Sequence, residues 1–186
     1  NKLYLREYLE EHQLRFPKTM WDDFPFNLSV IDQVERVAVT SRQYYHFIRA
    51  RAESETAAYR AEMYEKREEE HGWLLDLYRR WNVKTPETAE FIARRYIERF
   101  IGCVENLTNP SCRMSYKEKR REVKKMLENK RVAKSLQLAR PRSSYMKVML
   151  IPVRMKNVTL LLLEASVITF VKTKNTKLFA KLKAGR

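Results

Sequence analysis

Apolar side chains recur every three or four residues over much of this chain, the spacing of α-helices with one buried face. The clearest case begins at Thr85, a good N-cap residue that is followed by Pro86. Its apolar positions are Ala89, Ile92, Ala93, Tyr96, Ile97, Phe100, Ile101 and Val104. This pattern predicts a helix over 86–107, packed antiparallel against a long helix over 57–81. We expect the pair to bury Ile92, Tyr96, Phe100 and Val104, and the charged stretch 65–72 to be solvated and to fray near Gly72.

The rest of the chain also has a mainly helical pattern. Ser115 and Glu118 match a capping box at the start of a basic helix. Further helices are predicted over 2–12, 24–34, 116–129, 132–139, 145–155 (interrupted by Pro152) and from 158 onward. Two short strands are predicted, over 37–39 and 44–48. The fold class is therefore mostly α, with little sheet.

Positive charge is concentrated in the last third of the chain. Residues 1–112 hold 17 Lys+Arg and 19 Asp+Glu, a net charge of −2, whereas residues 113–186 hold 21 and 4, a net charge of +17. The chain has only 3 Gly, consistent with few tight turns, and its two cysteines, Cys103 and Cys112, are expected to be reduced thiols. A basic balance of this size indicates an anionic partner such as lipid or nucleic acid.

The same region contains the longest apolar run, 14 residues from Val158 to Val171, with Glu164 inside it. Spanning a bilayer takes ~20 apolar residues, so this run is too short. The basic residues that follow it are Lys172, Lys174, Lys177, Lys181, Lys183 and Arg186. Such a mixture favours a helix lying in the headgroup region of an anionic membrane. The alternative is a core helix that packs against the 86–107 helix, and both can hold at once.

Asp22 and Asp23 form an adjacent acidic pair between two aromatic residues, Trp21 and Phe24. From spacing alone, the simpler interpretation is an N-cap for the helix that follows. The functional alternative is a loop carboxylate that acts as a general base in a cleft.

A second candidate segment is Tyr44-Tyr45-His46-Phe47-Ile48-Arg49-Ala50-Arg51. Arg49 and Arg51 share one face if the strand continues, because strand side chains alternate. Paired guanidinium groups suit a diphosphate. The competing interpretation is a solvated strand end, with His46 an ordinary half-buried residue.

Several segments, in order, resemble the second half of the catalytic domain of family 2 glycosyltransferases. They are KLYLREYL (2–9), LRFP (14–17), WDDFPF (21–26) and YYHFIRARAESET (44–56), with a looser likeness in NTKLFAKLK (175–183). These bacterial, inverting enzymes of GT-A fold build capsule, exopolysaccharide, lipopolysaccharide or teichoic-acid glycans. The resemblance implies that the two strands are the remnant of a GT-A α/β domain.

The resemblance also implies roles for residues. Asp23 corresponds to the family's general base, and Asp22 to a neighbour that binds or orients the acceptor; the family pair is usually Glu-Asp. Trp21, His46, Arg49 and Arg51 are implied to bind substrate. The partners implied are a nucleotide-sugar donor and a glycan or lipid-linked acceptor.

The family's nucleotide-binding strands and metal-binding Asp-x-Asp motif have no counterpart in these 186 residues. We therefore expect a piece of a longer protein, inactive without its donor-binding half. A divalent metal, Mg²⁺ or Mn²⁺, is implied for the full-length enzyme and none for this piece.

The expected organisation is an acceptor-side catalytic part over 1–56, a helical pair over 57–112 and a basic membrane-associating tail over 113–186. The expected location is cytoplasmic, peripheral on the inner face of the membrane. The alternative function is a basic helical protein that binds nucleic acid or anionic lipid without catalysis, or a structural membrane adaptor. Residues 113–142 have enough cations for phosphate contacts but only Tyr116 as an aromatic residue, so no nucleic-acid partner is expected.

Overall fold

The computed structural model describes residues 2–19, 21–44 and 58–174, and within these ranges it contains helices and no strand. In chain order the helices are α1 (Arg6–Glu11), α2 (Asp23–Gln33), α3 (Met63–Arg80), α4 (Pro86–Leu107), α5 (Tyr116–Leu127), α6 (Lys130–Leu138), α7 (Ser144–Arg154) and α8 (Val158–Lys174). The prediction of a mostly helical chain is confirmed.

Helices α3 and α4 form the predicted antiparallel pair. Glu68 near the middle of α3 accepts a hydrogen bond from the Tyr96 hydroxyl of α4 at 2.6 Å, and the rings of Tyr78 and Phe91 lie 6.5 Å apart towards the connecting turn. Contacts thus run in opposite sequence directions along the two helices. Tyr96, Phe100 and Val104 are 4%, 2% and 0% exposed, as predicted, whereas Ile92 is only half-buried.

Helix α4 is the centre of one hydrophobic core. It packs against α3 on one side and against α5, α6 and α8 elsewhere. The core residues of the later helices include Val123, Val132, Met149, Leu150, Val153, Leu161 and Ala165. One core therefore joins the helical pair to much of the basic region, because each later helix contributes an apolar face.

Polar contacts also fix α3, α4 and α6 to one another. The Glu68 carboxylate that accepts from Tyr96 also accepts from Arg131 Nη1 at 2.6 Å. Asn129, the N-cap of α6, donates its amide to the Tyr64 hydroxyl at 2.8 Å. Both cysteines are free and buried.

The strand predicted over 37–39 is wrong. Residues 34–44 have no regular secondary structure, and Val37 and Val39 are 70% and 91% exposed. A β-branched segment forms a strand only where a partner strand and a surface to cover are present. The strand predicted over 44–48 lies outside the described residues except for Tyr44, which is exposed and not in a strand.

Two local sequence signals, a capping box and a proline, have different outcomes in the structure. The capping box at Ser115 and Glu118 is present, with the Ser115 hydroxyl accepting from the Glu118 N–H and the Glu118 carboxylate accepting from the Ser115 N–H. The predicted interruption at Pro152 does not occur, and α7 continues to Arg154. Pro152 removes only the hydrogen bond that its own N–H would donate to the Val148 carbonyl, and α7 ends two residues later at Arg154.

The charged centre of α3 differs from the prediction. The helix runs through Gly72 without a break, and Glu70 is only 4% exposed. Its carboxylate is buried because arginines of α3 and α4 surround it, as described below.

Helix α8 is partly a core helix. Leu161, Leu162 and Ala165 are buried, and the Thr108 hydroxyl after α4 donates to the Ala165 carbonyl at 3.2 Å. Lys172 pairs with Glu105 of α4, so this lysine of the predicted membrane tail has a structural partner. Among the helices described here, none combines the length and the apolar character needed to cross a membrane.

Candidate functional site

The acidic pair lies where the loop after α1 meets α2: Asp22 is the N-cap residue and Asp23 is the first residue of the helix, so the expected loop position holds for Asp22 and not for Asp23. The Tyr8 hydroxyl of α1 donates to the Val30 carbonyl of α2 at 2.8 Å. Phe26 of α2 is buried, with the ring of Phe16 stacked on it at 3.9 Å and the ring of Tyr4 edge-on at 5.4 Å. These contacts fix the start of α2, and with it the position of the residues that precede it.

Trp21 has an unusual backbone. Its φ is +55°, a left-handed conformation that costs a bulky residue about 1–3 kcal/mol. The other non-glycine residues with positive φ in the described ranges are Gln13, Asn82 and Lys156, and each follows the end of a helix, where this conformation is a normal C-terminal cap. Trp21 instead precedes a helix, so its strain has no capping explanation.

Arginines of α3 and α4, together with Arg60 just before α3, contact the aromatic residues on either side of the acidic pair. The Arg67 guanidinium of α3 lies 3.8 Å from the centre of the Trp21 ring, and that of Arg60 lies 5.4 Å from it. The Arg95 guanidinium of α4 lies 4.4 Å from the centre of the Phe24 ring. Cation–π contacts of this kind contribute roughly 0.5–2 kcal/mol each. Together they offset the strain at Trp21 and dock the loop on α3 and α4.

The Asp22 and Asp23 carboxylates remain open. Both residues are exposed, and neither side chain forms a hydrogen bond or ion pair within the described ranges. Asp22 occupies the N-cap position of α2, as the capping interpretation predicted. Its side chain, however, accepts no hydrogen bond from an N–H group of the helix. Burial raises the pKa of the nearby Tyr4 hydroxyl, and the Asp23 charge raises that pKa further.

A buried carboxylate and three arginines lie directly behind the loop. Arg67 Nη1 donates to both oxygens of Glu70, at 2.6 and 2.7 Å, and Arg95 Nη2 lies 3.9 Å from the same carboxylate. Burial lowers the pKa of Arg99, and the neighbouring charges of Arg67 and Arg95 lower that pKa further. We call Glu70, Arg67, Arg95 and Arg99 the arginine cluster. The charge of Glu98 also acts on Arg95 and Arg99, so acidic side chains compensate part of the positive charge in this region.

The other predicted site residues cannot be located. His46, Arg49 and Arg51 lie outside the described residues. The structure therefore brings together Trp21, Asp22 and Asp23 from the predicted set, and adds Arg67 and Arg95. The sequence pattern did not predict a role for these arginines, because on its own helix each has the pattern of an ordinary solvated charge.

The described residues do not fit a metal site. They contain no group of three or more His, Cys, Asp or Glu side chains that could hold a metal ion. Asp22 and Asp23 are two adjacent carboxylates without a further ligand among these residues.

Comparisons of the chain with protein-family models, with curated proteins and with solved structures found no match.

Proposed function

We propose that this chain is the acceptor-side part of an inverting family 2 glycosyltransferase that moves a sugar from a nucleotide-sugar donor to a cell-surface glycan acceptor. The ordered motif series from KLYLREYL (2–9) to YYHFIRARAESET (44–56), which includes WDDFPF (21–26), carries the proposal. One structural observation supports it: the Asp23 carboxylate, in the first turn of α2 and close to the strained Trp21, is exposed and unpaired within the described ranges. Strained backbone of this kind is concentrated at functional sites.

Asp23 is the proposed general base. An acceptor hydroxyl gives its proton to the Asp23 carboxylate while its oxygen attacks the anomeric carbon of the donor sugar. The bond from that carbon to the diphosphate oxygen breaks from the opposite face, the nucleoside diphosphate leaves with the bonding electrons, and the configuration inverts. Asp22 binds or orients the acceptor, and Trp21 offers an aromatic surface beside it.

The negative charge that develops on the leaving diphosphate needs nearby cations. Arg49, Arg51 and His46 remain the proposed diphosphate contacts. A divalent metal belongs to the donor-binding half, where the family carries its Asp-x-Asp motif.

The test of this proposal is sugar transfer by the native polypeptide that carries this sequence. Membranes that contain it are supplied with radiolabelled nucleotide sugars, and the label in glycan is measured against the nucleoside diphosphate released. We expect equal amounts of the two products from one donor. The 186-residue chain alone is expected to transfer nothing. Absence of transfer from every nucleotide sugar would contradict the proposal.

We propose that the basic region also attaches the protein to the inner face of the membrane. On α8, Leu163, Val167 and Phe170 follow one another at helical spacing on one face, and each is more than half exposed. On α7, Val148 and Ile151 are half exposed. Exposed apolar faces next to many cations are typical of peripheral membrane attachment.

Removing residues 175–186 should weaken binding to anionic vesicles by at least ~10-fold and change binding to neutral vesicles little. The deletion removes four basic residues, Lys177, Lys181, Lys183 and Arg186, each worth ~1 kcal/mol near an anionic surface. It retains Lys172, whose ion pair with Glu105 belongs to the fold. Cosedimentation at several salt concentrations measures the effect.

The matched control replaces the same four cations with glutamine and keeps Leu178, Phe179 and Leu182. If charge holds the tail to the membrane, this variant should lose as much binding as the deletion. Equal binding of the unmodified protein to anionic and neutral vesicles would contradict the proposal. Nucleic-acid binding stronger than vesicle binding at the same salt would favour the non-catalytic alternative.

A further inference from the structure

A groove separates α6 from the end of α7. Helix α6 packs mainly on α4, whereas α7 packs mainly on α8, so the two helices are held by different neighbours and a gap of about 200 Å³ remains between them. Its apolar walls include Val132, Ala133, Leu136 and Val153. Two cations, Arg154 and Lys156, line the same groove.

Among the described residues, these two cations have no protein partner. Neither the Arg154 nor the Lys156 side chain forms an ion pair or hydrogen bond within the part of the chain that the structure describes. Acidic residues are also missing from the surrounding sequence: residues 129–163 contain eight Lys+Arg and no Asp or Glu. The groove is therefore apolar inside, and two cations that have no acidic partner among the described residues border it. The nearest acid in the sequence, Glu128 beside the wall residue Leu127, pairs with Lys124 at 3.8 Å.

The backbone holds Lys156 in place. The Lys156 N–H donates to the Val153 carbonyl at 3.1 Å and the Asn157 N–H to the Pro152 carbonyl at 2.9 Å, which closes a Schellman cap on α7. Lys156 takes the left-handed position of this cap with φ +51°. Glycine is the usual residue there, so lysine is kept at a conformational cost of about 1–2 kcal/mol.

We propose that the groove between α6 and α7 binds a phospholipid of the anionic membrane surface, with the lipid phosphate on Arg154 and Lys156 and part of one acyl chain between the helices. The charge of the opening complements a phosphate, and the walls complement a hydrocarbon. A dry cavity of roughly 150 Å³ takes a molecule the size of benzene, whereas whole small ligands need roughly 300–1,000 Å³. A groove of about 200 Å³ thus suits a segment of a chain.

This inference deepens the proposed membrane attachment and rests on it, but the test uses a soluble probe and needs no vesicle. Decyl phosphate is titrated below its micellar concentration, with methyl NMR and calorimetry as readouts. We expect shifts in the methyl groups of Val132, Leu136 and Val153. We also expect affinity at least ~10-fold above that for inorganic phosphate and for decyl maltoside, which lack the chain and the charge respectively.

Three variants locate the site. Lys156→Gly should weaken decyl phosphate binding by about 10-fold while retaining the fold, because glycine adopts the left-handed cap readily. Arg154→Gln should have a similar effect. Ala133→Trp fills the groove from an exposed position and should abolish chain-dependent binding without changing the charge. The control Lys84→Ala removes an exposed cation outside the groove and should leave affinity unchanged.

The proposal is overturned if decyl phosphate does not bind, if inorganic phosphate binds equally well, or if Ala133→Trp binds like the unmodified protein. If the protein still binds vesicles in these cases, the proposed attachment through the basic tail remains and only the lipid site in the groove is refuted. Sugar transfer is measured separately, so its failure is distinguishable from failure here.

Discussion

Replacing Phe100 with alanine should lower the free energy of unfolding by about 3–5 kcal/mol. Phe100 is 2% exposed on α4, the helix that packs against α3, α5, α6 and α8. Truncation removes buried aromatic surface and leaves a cavity between helices that are also fixed by polar contacts, so the site has little freedom to collapse. Urea unfolding followed by circular dichroism measures the loss.

Phe91→Ala is the matched control on the same helix. Its ring is 38% exposed, so its truncation should cost far less than that of Phe100. Equal losses for the two variants, or a loss below about 1 kcal/mol for Phe100→Ala, would contradict the position of α4 as the centre of the core.

Replacing Glu70 with glutamine should also destabilise the protein strongly, by about 3–5 kcal/mol. Glutamine keeps the size of the side chain but removes the one buried negative charge that Arg67 and Arg95 share. The burial of these guanidinium groups is then no longer compensated, and Arg67 exchanges a carboxylate for a neutral acceptor. The stacking of Arg67 on Trp21 should loosen with it, which tryptophan fluorescence can report.

Glu69→Gln provides the comparison for this charge. Glu69 is the neighbouring residue, is exposed, and pairs with Lys66 at 3.0 Å on the surface. Exposed pairs contribute roughly 0–1 kcal/mol, so this variant should unfold almost like the unmodified protein. A Glu70→Gln variant as stable as Glu69→Gln would remove the arginine cluster from the account of how the loop is held.

Local signals predicted the helices well. The N-cap at Thr85 with Pro86 after it, and the capping box at Ser115, mark helix starts that the structure has at the same residues. These signals succeed because capping satisfies backbone groups within a few residues of the chain. The 37–39 strand failed for the opposite reason, since strand formation depends on distant partners that a short apolar segment does not reveal.

The arginine cluster shows a second limit. Glu70 belongs to a charged run of α3, a pattern that predicts a solvated side chain. In the structure its carboxylate lies near Arg95 of α4, and the ring of Trp21 covers its partner Arg67. These contacts join three separate segments of the chain, so the pattern of no single helix predicts them. Helix α8 gave an ambiguous pattern because it is apolar on most sides, and packing decides that Leu161 is buried while Leu163 is exposed.

The identity of the acidic pair depended on resemblance. The structure adds that Asp22 and Asp23 are exposed, and that the strained Trp21 beside them contacts Arg67. The proposed chemistry therefore rests on Asp23 more than on any other residue.

The central measurement is turnover of the native polypeptide with Asp23→Asn. The Asp23 side chain makes no bond within the described residues, so the substitution should leave the fold intact. Loss of a general base should lower turnover by ~100-fold or more. Asp22→Asn should have a smaller effect, and Glu35→Gln, an exposed acid outside the loop, should have none. Turnover of Asp23→Asn within a few-fold of the unmodified enzyme would contradict the account.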